Sequence, residues 1–323
     1  MNINKISTAI VAGVIMVAGA TTALATETLK WAHVYESGSP YHIKAQWAAD
    51  EIAKATDGRV EVKVFPASSL GKEVEINEGL GIGAVDIIYT GPSFVERYYG
   101  PIAISDYPFI MRGYDHWVSY RTSDLFKELS DGYHDATGNQ VMSLVYYGQR
   151  HVTSNKPILK PSDMEGLKIR VPNSPLMLMF PNAVGANPTP MAFSEVYLAL
   201  QQGVVDAQEN PLPTIKFKKF YEVQSNINLT GHILNSLLII ASDDALARVG
   251  DDQAVVKEIL EKAAMMISEE IYKSETDLIS WFEEQGIAVN VVDKKPFQDA
   301  VKPSLIGDGV PYTADHFKRL GEL

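Results

Sequence analysis

The 323-residue chain contains no cysteine. That excludes a thiolate nucleophile, a cysteine-ligated zinc or iron–sulfur centre and a structural disulfide. Basic charge is also scarce: 28 Lys and Arg face 40 Asp and Glu, for a formal net charge of −12. A nucleic-acid binder shows a basic surplus or stripe, so no nucleic-acid partner is expected. The sequence holds no G-x-S-x-G elbow, no H-E-x-x-H and no Walker A loop. Its seven histidines are scattered with no i, i+4 pair, and its carboxylates offer no pair for acid–base work. No enzyme activity, metal or cofactor is therefore expected. Gly79, Gly81 and Ala84 spell G-x-G-x-x-A, but a dinucleotide fingerprint needs a strand before it and a helix after it. Here the glycines end a helical pattern and lead into a strand, so they read as a turn. Past the amino terminus no stretch approaches the ~18 uninterrupted apolar residues of a membrane span.

The amino terminus carries its own pattern. Lys5 supplies a positive charge, Ala9 to Ala20 form a short apolar run, and Ala23-Leu24-Ala25 is an A-x-A cleavage site. Residues 1–25 therefore read as a secretory signal peptide, because about a dozen apolar residues are too few for the ~20 that cross a bilayer. A soluble, exported protein of the periplasm is expected, in a compartment without ATP or NADH pools.

Beyond residue 25 strands and helices alternate. Residues 28–34 read as a strand and Pro40 to Ala55 as a helix with Ile43, Trp47, Ala48 and Ile52 on one face. Residues 60–65 alternate as a half-buried strand; 69–80 read as a short helix. The apolar runs 85–89 and 141–147 have the pattern of fully buried strands. Residues 167–171 follow as a strand stopped by Pro172, 191–202 as an amphipathic helix, 204–206 as the opening of a short strand, and 233–240 as a longer one. Residues 251–285 read as one helix, long enough to bridge two lobes. The pattern predicts an α/β fold with crossover connections.

Arg170 stands out within this frame. It sits near the carboxyl end of a strand, where ligands bind in open α/β sheets. A guanidinium there can grip a carboxylate through two parallel hydrogen bonds; the alternative is a structural ion pair. The strings IRVPN, PTPMAFSEVYLALQQGVVDAQENP, KFYEVQ and LTGHILN occur in that order. With them the chain closely resembles the solute-binding proteins of TRAP (tripartite ATP-independent periplasmic) transporters, the DctP family, over essentially its whole length after residue 25. The resemblance implies a two-lobed periplasmic-binding-protein fold with a central mixed sheet in each lobe and a long lobe-spanning helix. It implies lobe I from residues 26–147 with 236–275, lobe II from 148–235 with 276–323, and hinge closure on a ligand in the cleft. In this likeness Arg170 matches a carboxylate-binding arginine, Arg150 a second arginine on the ligand or its waters, Asn210 a ligand contact and Phe193 an aromatic that packs on the ligand. Asn173, from GLKIRVPN, is placed with them. Glu209 and His232 match polar partners of Arg150 behind the pocket.

Specificity is expected from the first lobe's loops: His33 and Tyr35, Glu73 and Glu75, Tyr89 and Thr90. His33, Glu75 and Tyr89 are the contacts chosen among them; for His33 a packed, satisfied histidine is the alternative, and for Glu75 a solvated helix face. The resemblance implies an organic acid. A dicarboxylate needs a second cation facing the pocket from the first lobe, and only Lys72, Arg97 and Arg112 lie near. Mixed donors and acceptors beside one arginine suit a hexuronate, D-glucuronate or D-galacturonate. Sialic acid, another organic acid or a C4-dicarboxylate is the alternative ligand. Membrane permease subunits are the implied partners of a monomer; a sensor system is a rival partner. An exported hydrolase is the rival class, but no nucleophile–base pair supports it.

Overall fold

The computed structural model describes residues 26–307 and 309–323; the expected signal peptide lies outside them. In chain order the elements are β1 (Glu27–Ala32), α1 (Pro40–Ala55), β2 (Val60–Phe65), α2 (Glu73–Gly81), β3 (Ile87–Thr90), α3 (Pro92–Val95), α4 (Tyr114–Arg121), α5 (Asp124–Thr137) and β4 (Asn139–Ser154). They continue with β5 (Lys168–Val171), α6 (Met179–Ala183), β6 (Asn187–Pro190), α7 (Val196–Gln201), β7 (Ala207–Pro211), α8 (Leu212–Phe217), β8 (Asn226–Ser242), α9 (Asp243–Val249), α10 (Gln253–Glu284), β9 (Ala288–Asn290), α11 (Lys295–Val301) and α12 (Ala314–Glu322). Among the described residues no helix is long and apolar enough to cross a membrane.

The expected mixed sheet and long helix are both present, with one difference. The sheets of the two halves are joined into a single nine-stranded sheet, ordered β2-β1-β3-β8-β4-β7-β5-β6 with β9 on β8. The joint is made by β4 and β8, 16 and 17 residues long, paired antiparallel from Asn139↔Ser242 to Ser154↔Asn226. At one end β8 carries β3; at the other β4 carries β7. The β4–β8 register slips between Tyr146 and Gly148. Gly148 has φ 113°, and a Cβ there would lie 2.9 Å from both the Glu275 carboxylate and the Pro211 Cβ, so the bulge needs glycine.

Local chemistry explains the clearest elements. Ser39 caps α1 by accepting from the His42 N–H, and Pro40 fills its first turn. The 32-residue α10 buries Val256, Leu260, Ala263, Ile267 and Ile271 along one stripe and, further on, Leu278 and Phe282. Its first part packs with the first half's core, which includes Trp31, Ile88 and Leu144; Leu278 and Phe282 pack with Val196, Ile215 and Phe220 of the second half. One helix thus backs both halves.

Three expectations change. The stretch 191–202 is not one helix: Met191 continues the extended run after Pro190, with its N–H on Val171 O, and a 3-10 turn at Phe193–Glu195 precedes α7. The strand expected from Val204 begins at Ala207. Of residues 276–323, assigned with the second lobe, α11 packs on the second half but the end of the chain packs on the first: Arg319 binds Glu128 of α5, and Tyr312 and Leu320 join the core around Trp117 and Leu129. The G-x-G-x-x-A string is the turn from α2 into β3, as read.

Candidate functional site

A cleft between the two halves is lined by residues of both. The second half contributes Arg150, Arg170, Asn173, Phe193 and Asn210; the first contributes Tyr35, Glu73, Gly91, Ser93 and Phe94. All five ligand contacts expected from the second half therefore meet in one cavity.

The two arginines differ in a way that decides their roles. Arg150, 3 % exposed, has all but one of its N–H groups engaged from behind. Its Nε and Nη2 grip the Glu209 carboxylate, with Nη2 at 2.7 Å from Oε1. Nη2 also donates to Glu209 O at 2.8 Å, and Nη1 to Asn235 Oδ1 at 2.9 Å. The other side of Glu209 meets His232 Nε2 at 3.1 Å, while His232 Nδ1 meets Thr230 and its ring stacks on Phe180 at 4.0 Å. Burial alone pushes the Glu209 carboxyl up, but Arg150 and His232 outweigh it and hold the group at about 2. Glu209 and His232 are thus the partners behind the pocket.

Arg170, 2 % exposed, has no carboxylate within ion-pair distance among the described residues. Its Nε and Nη2 donate only to Met191 O, at 3.1 and 2.7 Å. Pro172 stops β5 and the extended Met191 turns its carbonyl toward the guanidinium, so backbone alone fixes the side chain. Desolvation lowers its pKa to about 10, which leaves it cationic at neutral pH. The result is a buried positive charge, oriented, with free donors on a cavity wall. A buried charge is costly until it is paired, and the partner that fits is an anion entering the cleft. Phe193 lies beside it, its ring centre 6.0 Å from the guanidinium carbon. Asn210 takes a 2.6 Å contact to Gln208 and a 3.5 Å contact from Tyr147 OH; Asn173 sits exposed at the rim.

The first half places its candidates differently. Glu75 lies outside the cavity: it is exposed, and its carboxylate caps α2 by accepting from the Lys72 N–H at 2.9 Å. Glu73, two residues earlier, faces the cleft instead and accepts from Gly91 N–H at 3.0 Å and Thr90 Oγ1 at 3.1 Å. His33 is 1 % exposed, with Nδ1 accepting from Tyr35 N–H and Nε2 against His42. Burial drops its pKa to about 3, so it is neutral and packed behind the cavity wall. Tyr89, fully buried, sits against Trp31 in the same second row. Tyr35 is the residue that reaches the cavity, flanked by Tyr41, Tyr147 and Phe193. Glu73 carries a readable signal: in K-E-V-E the second glutamate takes the third helical position, where side chains cap the helix, leaving the first free. Tyr147, Ser93 and Asn235 also line the cleft; Asn235 ends the string LTGHILN, Tyr147 stands three residues before Arg150, and no sequence signal marks Ser93.

Glu73 gives a stability prediction. Desolvation raises its carboxyl from 4.5 to about 7, partly offset by the Gly91 and Thr90 bonds. A raised carboxyl favours the folded state below pH 4.5, and that contribution is lost as pH rises through about 7. Glu73→Gln keeps an acceptor and stays neutral. It is expected to stabilise the ligand-free protein by up to about 3 kcal/mol at pH 8 and by almost nothing at pH 4; denaturant melts at the two pH values check it.

Residues 31–306 match the family model described as bacterial extracellular solute-binding protein, family 7 (DctP). The chain belongs to this family. It is 33 % identical over 302 residues to the sialic acid-binding periplasmic protein SiaP of Vibrio cholerae, covering 93 % of each chain. Among solved structures, a TRAP periplasmic solute binding protein of Roseobacter denitrificans with bound L-galactonate superposes with TM-score 0.86 at 30 % identity, covering 92 % of this chain and 99 % of that one. A Citrobacter koseri relative with bound D-glucuronate gives 0.87 at 25 % identity, covering 92 % and 100 %. Membership in a family of solute-binding transport proteins agrees with the lack of catalytic motifs.

Proposed function

We propose that the chain is the periplasmic solute receptor of a TRAP transporter, made with a cleaved signal peptide, and that it captures a sugar acid and delivers it to the membrane permease. The carrying observation is Arg170, a buried guanidinium without a counter-ion among the described residues, lining the cleft. It takes the solute's carboxylate; Asn210, Tyr35, Glu73 and the remaining Arg150 hydrogen take hydroxyls; and Phe193 packs on the carbon skeleton. In this reading the long strands flex near the Tyr146–Gly148 bulge, and the halves close on the solute.

The opposite wall favours a single carboxylate with hydroxyls over a dicarboxylate. None of the three cations near the first half lines the cavity: Lys72 is paired with Glu195, Arg97 with Glu78 at 3.6 Å, and Arg112 donates to Gly321 O. Glu73 lines it instead, an acceptor that suits a hydroxyl and repels a second carboxylate. A hexuronate, glucuronate or galacturonate, fits this donor and acceptor set. The relatives holding L-galactonate and D-glucuronate support the class.

The test is a thermal-shift panel of glucuronate, galacturonate, a sialic acid, succinate and uncharged glucose. A ligand at ~100 times its Kd adds about 2.7 kcal/mol of stability. Shifts with the uronates and none with glucose are expected. A shift only with sialic acid or succinate overturns the hexuronate assignment and keeps capture of an acid; no shift with any acid overturns capture itself.

A further inference from the structure

Two ion pairs span the cleft mouth. On one side Lys218 Nζ, just past α8, meets Glu36 Oε1 in the loop after β1 at 2.6 Å, with side-chain exposures of 14 % and 36 %. On the other, Lys72 Nζ at the start of α2 meets Glu195 Oε1 ahead of α7 at 2.5 Å. In each pair one partner belongs to the β1–β3 half and the other to the β5–β7 half. Opening the cleft therefore separates both pairs. Ser174 Oγ also donates to Ser93 O from one half to the other at 2.8 Å.

The Lys218 pair does more than bridge. Its ammonium stands 5.0 Å from the centre of the Phe193 ring, the ring on which solute packs in the reading above. Cation–π attraction at that distance is favourable, and it helps hold the ring beside Arg170. Glu36 in turn fixes Lys218. The first half thus touches Phe193 through a chain of two charged side chains.

We propose that Glu36–Lys218 and Lys72–Glu195 form a two-point charged latch across the cleft, and that Lys218 is a positioning residue that holds Phe193 against the solute only while the latch is closed. The latch slows solute release and leaves capture almost untouched, because the encounter meets the open cleft. The kinetic part rests on the sugar-acid reading; the conformational part needs no ligand identity.

The chain has no cysteine, so spin labels on Ile82→Cys and Leu198→Cys, exposed 83 % and 53 % on opposite halves, report the cleft without background. Lys218→Glu is expected to move the label-distance distribution to longer values, and the swap Lys218→Glu with Glu36→Lys to bring it back. With glucuronate as probe, Lys218→Ala is expected to raise the dissociation rate about fivefold, with the association rate changed less than twofold. Rising salt is expected to speed release from the native protein and to do so less in Lys218→Ala. An unchanged distance distribution in Lys218→Glu, or failure of the swap to restore it, overturns the latch. A native protein that binds no acid overturns solute capture instead, and the distances still decide the latch.

Discussion

Arg170→Ala is expected to weaken acid binding by about 30- to 5,000-fold, the effect of removing one partner of a buried, hydrogen-bonded charge pair, worth about 2–5 kcal/mol. The same change is expected to leave the ligand-free protein as stable as before, or slightly more so. Both expectations come from one observation: the guanidinium is 2 % exposed, and Met191 O is its sole hydrogen-bond acceptor among the described residues. Without ligand it is a buried charge that the fold does not neutralise, so its loss costs the scaffold little. In the proposed complex it is the counter-ion of the carboxylate. Arg170→Lys is expected to recover little, because an ammonium cannot hold the Met191 carbonyl and both carboxylate oxygens in one plane. Calorimetric titration with glucuronate, paired with denaturant melts, checks both halves. Unchanged affinity sinks the clamp; affinity lost together with stability makes Arg170 part of the scaffold.

What could be read from the chain, and what could not, follows from what apolar periodicity reports. Helix α1 and strand β2 lie where the spacing puts them, bounded by Ser39-Pro40 or Gly58, but the face of α1 is turned from the one expected: it buries Tyr41, Ala45, Ala48, Ala49 and Ile52 and leaves Ile43 exposed. Strands β4 and β8 are about twice as long as their apolar runs. Their other halves carry Gln149, Arg150, His151 and Thr153, or Asn226, Asn228, Thr230 and His232, nearly all buried in hydrogen-bonded networks. Buried polar residues hide a strand from any hydrophobic signal. At the site, Arg170, Phe193, Asn210 and Asn173 stood in contiguous strings and meet as expected. The first half was harder. Glu73 and Glu75 are two positions apart on a helix, so they point to nearly opposite sides, and composition cannot say which faces the cleft. His33 and Tyr35 share a loop, yet backbone and His42 contacts hold one ring in the second row while the other forms the wall.

Glu209→Ala is expected to destabilise the protein by about 3–5 kcal/mol, the cost of leaving its buried partner uncompensated. Arg150, Glu209 and His232 are 3, 2 and 1 % exposed, and Arg150 binds that carboxylate through two nitrogens. The pH dependence separates charge from packing. The Glu209 carboxyl is held at about 2 against an ordinary 4.5. A depressed carboxyl stabilises the fold above the unfolded value, and the contribution is lost as pH falls from 4.5 through about 2. Glu209→Gln, which keeps the shape and removes the charge, is therefore expected to be clearly less stable than the native protein at pH 7, with the gap narrowing below pH 4.5. Denaturant melts across that range check it, and a gap of constant size defeats the electrostatic account. The contrast with Arg170 carries the functional argument. Both arginines are buried in one cleft; the protein supplies a carboxylate for the first and withholds one from the second. Removing Glu209 should therefore harm the empty protein, and removing Arg170 only the loaded one, because the missing carboxylate is the solute's to bring.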